Sequence, residues 1–472
     1  MTTAADEGRS ARFYLWRRVA VALLLLGYLT YYFNRTNLSV TSKAIMEDLG
    51  FNETEMGVIV SVGYAVYAVG KFVTGTWVER LGGRNSFLLG LGISSLLTIG
   101  MSFCKTVPAF TAVWSISRFA QSIGWGALVR ICSCWFESKS YGRVMGMMSL
   151  SYMLGDALIR LTLGVLQNAG LSWEEVFYVC ASLGIAVVIP SIFLLKQSPL
   201  LIGESEPHSS EKNVYGEETK QEEERVLTLR ELMVPLLKTP KFYILLVLSI
   251  VLTLIRETFN SWTPIYLSDV LGLSDGDASM ASMVFPFFGT ISALIGGWLV
   301  DRVRPRWRGG VSVCFLLLLT GALIGLAWFS DRFPATDPLA LPIALTLISL
   351  IGLFLMAPYS FLDGIYTLEL GGKHGCAATA SIINGAGYLG ATFSGFVLAM
   401  TDSGSGWGPV FLLLALLTVA SMLAFILFWY IDVRDINRTE MRHSQGDWQQ
   451  LINSVDDDND ELPGAAGDRE DA

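Results

Sequence analysis

Twelve stretches of about 20 mostly apolar residues run through this chain, and that length is what a helix needs to cross the hydrocarbon core of a bilayer. They fall at roughly 16–37, 55–78, 86–104, 108–134, 144–168, 174–196, 242–268, 278–300, 310–330, 338–367, 375–400 and 407–431. A soluble core is excluded on the same grounds. Of the 472 residues 52% are hydrophobic and 16% charged, against about 25% charged in an ordinary soluble domain, and the mean hydropathy is +0.49. The expected fold is an all-α membrane protein with twelve transmembrane helices. The 46 glycines suit helices that pack closely in lipid. Arg17 and Arg18 ahead of Leu23–Leu26 resemble the start of a signal peptide. No small-x-small cleavage site follows and the stretch stays apolar to Tyr32, so it reads as a retained helix.

Lysine and arginine set the orientation. Only Lys43, Lys105 and Arg332 fall in loops placed outside, whereas Arg80, Arg84, Lys139, Arg143, Arg302–Arg308 and Lys373 fall inside. Both termini are therefore expected in the cytoplasm. The absence of a transit-like segment favours a plasma (inner) membrane. The formal net charge of −9 says nothing of substrate sign, because much of it sits between Asp456 and Asp471. Apart from Cys132 and Cys134, which sit in an apolar run, no pair of the six cysteines has metal spacing, and all read as small buried thiols; the three histidines fall in polar loops or the tail. No phosphate loop, dinucleotide fingerprint, nucleophile elbow or zinc motif stands in a suitable context. An enzyme, a cofactor and a nucleic-acid partner are not expected.

The two halves repeat at an offset of 222 positions: Gly75-Thr-Trp-Val-Glu79-Arg80 matches Gly297-Trp-Leu-Val-Asp301-Arg302, and Leu49-Gly50-Phe51 matches Leu271-Gly272-Leu273. Arg35 falls within one residue of matching Arg256. Parallel repeats of six spans are a transporter architecture. The expected organisation is an N-terminal bundle over 1–196, a charged cytoplasmic linker over 197–240 with some helix near Leu227–Leu237, a C-terminal bundle over 241–433, and an acidic, disordered cytoplasmic tail over 434–472.

The stretch GTWVERLGGR (Gly75–Arg84), its counterpart GWLVDRVRPR, and Arg118-Phe-Ala-Gln121-Ser-Ile-Gly124 resemble signatures of the major facilitator superfamily. The resemblance implies two pseudo-symmetric six-helix bundles, a cavity near the midplane, and alternating access by rocking. Within that superfamily the chain looks most like the organophosphate:phosphate antiporters, which include the glycerol-3-phosphate and hexose-6-phosphate exchangers. The segments concerned are Tyr32-Phe-Asn-Arg35-Thr-Asn37, Gly70-Lys71-Phe72, Gly124-Trp125, Arg130, Arg256 with Trp262-Thr-Pro264-Ile-Tyr266-Leu267, Leu368-Glu369-Leu370, and Gly387-Tyr388-Leu389-Gly390. In that family the arginines of spans one and seven bind the phosphoryl group; Arg35 and Arg256 stand at those positions, and Lys71 matches a basic position of span two.

Physical chemistry gives those residues a reason. An arginine in the membrane core costs at least about 2.5–3.5 kcal/mol and is kept where it faces a partner, water or a ligand. Arg35 and Arg256 lie 17 and 15 residues past Arg18 and Lys241, about 22–26 Å along each helix, and hence at similar depth. Two guanidinium forks, one from each half, suit a dianionic phosphate. The alternative is that each is neutralised by a protein carboxylate. Lys71 shares a face with Tyr64 and Tyr67 and is either an anion contact or an inter-bundle contact. Tyr32 shares a face with Tyr28 and Arg35 and faces either the cavity or lipid. Glu79, Arg80, Arg84, Asp301 and Arg302, at helix ends, are expected in gating charge pairs. Arg118 is expected in a structural or gating role.

Some residues depart from the exchanger pattern. Tyr152, Asp156 and Arg160 follow i, i+4, i+8 spacing in span five, where the better-known exchangers have a histidine at the first position and no acid or arginine at the others. Glu257 follows Arg256, and Asp363 stands in span ten; neither acid is expected from the family. Asp156 and Arg160 form an internal pair, or Arg160 is a third anion ligand beside Tyr152. Asp156, Glu257 and Asp363 are the candidates for coupling or charge pairing. The leading expectation is a secondary transporter exchanging an organophosphate for inorganic phosphate. A proton- or sodium-coupled symporter of an organic anion such as a sugar acid is the alternative, and a transporter-like ligand sensor a third. The expected partners are the small anion, inorganic phosphate or a proton as counter- or co-ion, and the bilayer, with a monomer as the simplest assembly.

Overall fold

The computed structural model describes residues 9–136, 138–205, 236–333, 337–362, 366, 370, 379, 382–401 and 406–460. Among the described residues the chain is helical and contains no strand, because lipid offers no partner for an exposed peptide group. The first half supplies α1 (Ala11–Leu49), α2 (Glu53–Leu81), α3 (Gly83–Met101), α4 (Val107–Trp135), α5 (Ser138–Asn168) and α6 (Trp173–Leu194). The second supplies α7 (Pro240–Leu271), α8 (Asp275–Ser282), α9 (Val284–Arg302), α10 (Arg308–Arg332) and α11 (Ala340–Phe361). It ends with α12 (Ile382–Met400) and α13 (Gly408–Asp460).

Nine segments among the described residues are long and apolar enough to cross a bilayer, α8 and α9 together making one of them. The other three expected spans are α3, α4 and α5, of 19, 29 and 31 residues. These three bury the polar side chains of Ser94, Ser95, Ser117, Arg118, Gln121, Asp156 and Arg160. The outer surface is apolar, and polar side chains are buried beside the apolar core. Leu26, Leu89, Leu96, Phe193, Leu318 and Leu423 lie exposed, while Asn34, Asn37 and Thr41 are sealed inside. Gln121 ties the first half together, donating to the Asn34 carbonyl at 3.0 Å and to Ser94 Oγ at 3.0 Å. Cys104, Cys132, Cys134 and Cys180 are buried as expected, but Cys314 is exposed on apolar α10.

The sequence repeat corresponds to one turn built twice. α1 stops at Gly50 (φ 69°) and α7 at Gly272 (φ 65°), left-handed positions that glycine enters without a Cβ penalty. Two residues on, Asn52 accepts from the Glu55 amide at 2.8 Å to cap α2, and Ser274 accepts from the Asp277 amide at 3.2 Å to cap α8.

At the end of the bundle that carries these turns, the halves meet closely. A Cβ added to Gly57 of α2 would lie 2.5 Å from the Gly395 carbonyl oxygen of α12, and one added to Gly164 of α5 would lie 2.5 Å from that of Gly276 in α8. Glycine permits this backbone-to-backbone approach. Lys43 pairs with Asp269 at 2.5 Å, Asn168 donates to Asp277 at 2.8 Å, and Thr401 donates to Glu53 at 2.6 Å.

Three expected boundaries move. Span one runs to Leu49, well past residue 37, because the polar stretch after it turns inward: Asn37, Thr41 and Ser42 are buried. Span eight is interrupted at Met283, between α8 and α9. The tail expected to be disordered from 434 continues as α13 to Asp460. A helix already nucleated in the membrane propagates cheaply through proline-free sequence. Residues 461–472 and most of the linker, including all but the last two residues of the helix expected near Leu227–Leu237, lie outside the described residues.

Candidate functional site

Midway along α1 and α7 a cavity opens between the halves, lined by Tyr32, Arg35, Tyr64, Trp114, Arg118, Asp156, Arg160, Arg256, Glu257 and Asn260 among others. Its centre is an arginine pair. Arg35 Nη2 donates to Glu257 Oε1 at 3.3 Å and to the Tyr388 hydroxyl at 2.8 Å. Arg256 Nη2 donates to the same two atoms, closely to Glu257 Oε1 and at 3.0 Å to Tyr388. One guanidinium from each half thus converges on shared acceptors. The Tyr64 hydroxyl donates to Glu257 Oε2 at 2.7 Å and lies 3.0 Å from Ser261 Oγ.

Aromatic rings steady the cations. The Arg35 guanidinium lies 5.4 Å from the Tyr32 ring and 5.2 Å from Tyr67; that of Arg256 lies 4.5 Å from Tyr359. Arg118 is buried, 4.5 Å from the Tyr67 ring and 5.1 Å from Tyr64, and donates to Gln121 at 3.0 Å. Donors exceed acceptors here. Trp114 Nε1, Arg118 Nη2 and Arg256 Nε are buried without a hydrogen-bond partner among the described residues. Among the described residues, four arginines and two carboxylates line the cavity. The surplus of N–H groups and positive charge suits an anion.

A second polar cluster closes the cavity on the side of the glycine contacts. Arg160 donates to Asp156 at 3.3 Å, to Ser282 Oγ at 3.1 Å and to the Asn260 carbonyl at 2.7 Å, while Asp156 accepts from Thr36 at 2.6 Å. All three kinds of Arg160 nitrogen are engaged, as the internal-pair alternative requires. Removing one partner of such a buried pair costs about 3–5 kcal/mol. Asp156→Ala is therefore expected to lower the melting temperature markedly, with Asp156→Asn, which keeps an acceptor for Thr36, intermediate. Equal melting of all three proteins would rule out this clasp.

The structure brings together Tyr32, Arg35, Asp156, Arg160, Arg256 and Glu257 from the sequence-based set. It does not bring Lys71 to the cavity wall; the Lys71 ammonium lies 5.1 Å from the Tyr67 ring instead. Arg118, expected in a structural or gating role, lines the wall. Arg84 binds within its own half, donating to the Leu195 carbonyl at 2.7 Å. Arg302 is exposed and stacks 4.2 Å from the Trp298 ring. The side chains of Glu79, Arg80, Tyr152 and Asp301, and the whole of Asp363, lie outside the described residues. Tyr388 and Asn260 are not among the ligands the sequence points to, although Tyr388 stands in a segment resembling the exchangers.

A polar, arginine-rich cavity between two helical halves defines a membrane carrier for a small solute. The family profile described as the Major Facilitator Superfamily matches residues 24–372, and the chain belongs to that superfamily. It is an integral multi-pass transporter protein of that family. It is similar to the probable hexose phosphate transport protein of Chlamydia pneumoniae, 26% identical and covering 88% of this chain and 91% of that one. It also resembles the membrane sensor protein UhpC of Escherichia coli (26%, 89% and 92%) and the glycerol-3-phosphate transporter of Bacillus subtilis (23%, 90% and 95%). Among solved structures, a bacterial homologue of the human lysosomal transporter Spinster superposes with TM-score 0.65 at 17% identity, covering 89% of this chain and 97% of that one. A point mutant of the nucleoside transporter NupG superposes with TM-score 0.66 at 16% identity, covering 87% and 99%. At these identities the superpositions speak for the fold alone.

Proposed function

We propose that the protein is a secondary active transporter that exchanges a small phosphorylated organic anion for inorganic phosphate by alternating access. The observation that carries this reading is the convergence of Arg35 and Arg256, one from each half, on common acceptors. A phosphoryl group presents several oxygens to two forks at once, and a ligand held from both sides ties its binding to the movement of the halves. The excess of cavity arginines over carboxylates matches a doubly charged anion. The names of the relatives, hexose phosphate and glycerol-3-phosphate transporters, support the substrate class.

The bundles over 1–196 and 241–433 are the moving units in this reading, joined by the linker over 197–240. By the distribution of basic residues the termini face the cytoplasm of a plasma (inner) membrane, and the glycine contacts lie at the outer end. Glu79, Arg80, Asp301 and Arg302 then serve gating at the inner end, and a monomer holds the whole pathway. The second reading is a proton- or sodium-coupled anion symporter, favoured by the carboxylate of Glu257 inside the cavity.

The test is uptake of labelled phosphate into proteoliposomes preloaded with unlabelled phosphate, without a proton gradient. Rapid self-exchange, inhibited by hexose phosphates or glycerol phosphate, is expected. No exchange by folded protein would remove the antiport reading and leave the coupled symporter.

A further inference from the structure

We propose that Glu257 is a tethered counter-anion. Its carboxylate takes the place between Arg35 and Arg256 that a phosphoryl group takes during transport, and so lets the carrier cross without cargo. The proposal rests on the reading of the two arginines as an anion clamp. It adds an activity to exchange: net flow of the anion down its own gradient.

The geometry is that of a ligand. Both guanidiniums direct Nη2 to the single atom Glu257 Oε1, Arg256 from the same helix and Arg35 across the interface between halves. The carboxylate is almost wholly buried, 2% exposed against 13% for Arg35. Its other oxygen is fixed by Tyr64 of α2, beside Ser261. The charged or titratable groups around it are Arg35 of α1, Tyr64 of α2, Arg256 of its own helix and, through the shared arginines, Tyr388 of α12. Arg118 of α4 lies over the Tyr64 ring. No other carboxylate reaches the clamp among the described residues, since Asp156 is engaged by Arg160 and Thr36.

Two arginines brought together in a low-dielectric core repel each other. A clamp built of arginines alone needs a bound anion before its halves close, and therefore crosses only when loaded. A carboxylate attached to the neighbouring residue supplies the anion internally. An incoming phosphate competes for the same N–H groups and displaces it toward Tyr64 and Ser261. When the phosphate leaves, the carboxylate returns and the halves close without a new ligand.

The test uses proteoliposomes loaded with labelled inorganic phosphate, with the membrane potential clamped by valinomycin and potassium. Efflux is measured into medium with and without unlabelled phosphate. In the unaltered protein net efflux is expected within roughly tenfold of exchange. In Glu257→Gln the ratio of net efflux to exchange is expected to fall by about tenfold or more, and half-saturating phosphate to fall by a similar factor, as befits the loss of charge-assisted bonds. A carboxylate with a merely structural role would lower both fluxes together and leave their ratio unchanged, which overturns the proposal. Exchange by the unaltered protein with no net efflux above protein-free vesicles overturns it without any variant. Absence of both fluxes removes the phosphate-exchange reading on which the inference rests, and the inference with it.

Discussion

Arg256→Ala is expected to slow phosphate exchange by about a hundredfold or more. Each charge-assisted hydrogen bond contributes on the order of 1.5–3 kcal/mol, and a guanidinium fork offers a phosphoryl group two. The substitution also strands Glu257, whose Oε1 then keeps only the 3.3 Å contact to Arg35 among its two arginine partners. Arg35→Ala removes the partner fork from the other half and is expected to act as strongly. Arg256→Lys keeps the charge and loses the fork, so it should recover some exchange while staying at least about tenfold below the unaltered protein. The measurement is the initial rate of labelled phosphate self-exchange, with thermal melting to show that each variant is folded. Exchange by Arg256→Ala within threefold of the unaltered protein would remove the arginine pair from the transport site.

The second large effect is expected at the glycine seam. In Gly164→Leu the new Cβ would meet the Gly276 carbonyl at 2.5 Å and Met280 Cγ at 2.6 Å. These atoms belong to a helix of the opposite half, so the strain is relieved when the halves part at that end. Overpacking of this kind costs about 1–3 kcal/mol, which biases a two-state equilibrium by roughly 5- to 150-fold. Transport should drop by a comparable factor while the protein stays folded. In a background without native cysteines, Ser39→Cys, which lines the cavity, should become reactive toward an impermeant thiol reagent applied from outside. Unchanged transport and a protected cysteine in Gly164→Leu would show that the seam does not close during the cycle. Gly57→Val, aimed at the Gly395 carbonyl, provides an independent copy of the test on the other side of the pseudo-twofold axis.

Sequence reading reached the helical spans because apolar runs of spanning length have few soluble alternatives. It also reached the repeat, whose Leu-Gly pairs mark the two left-handed helix stops at Gly50 and Gly272. It placed Arg35 and Arg256 at a common depth, because rise along a helix is a fixed quantity. What it lacked was rotation about each helix axis. Lys71 shares a stripe with Tyr64 and Tyr67, yet Tyr64 lines the cavity and Lys71 does not. Arg118 stands in a motif associated with structure, and only the packing shows that it borders the cavity beside Tyr64. The one-residue mismatch between Arg35 and Arg256 has a physical meaning as well. The true counterpart of Arg35 at offset 222 is Glu257, and these two residues form an ion pair. The length of α13 escaped because composition speaks to intrinsic stability and not to a helix continued from the membrane.

That ion pair has a companion at the same offset. Ser39 donates to the carbonyl of Ser261 at 2.9 Å, again 222 positions away. Residues that repeat each other and also touch each other lie at the pseudo-twofold axis. When one end of such a two-part body opens as the other closes, the level between them behaves like the pin of a pair of shears: the tips travel far and the pin hardly moves. A solute held at the pin by Arg35 and Arg256 would find nearly the same partners whichever blade-end is parted. The carrier would then grip it with similar strength from either side of the membrane, and the gradients alone would decide the direction of traffic.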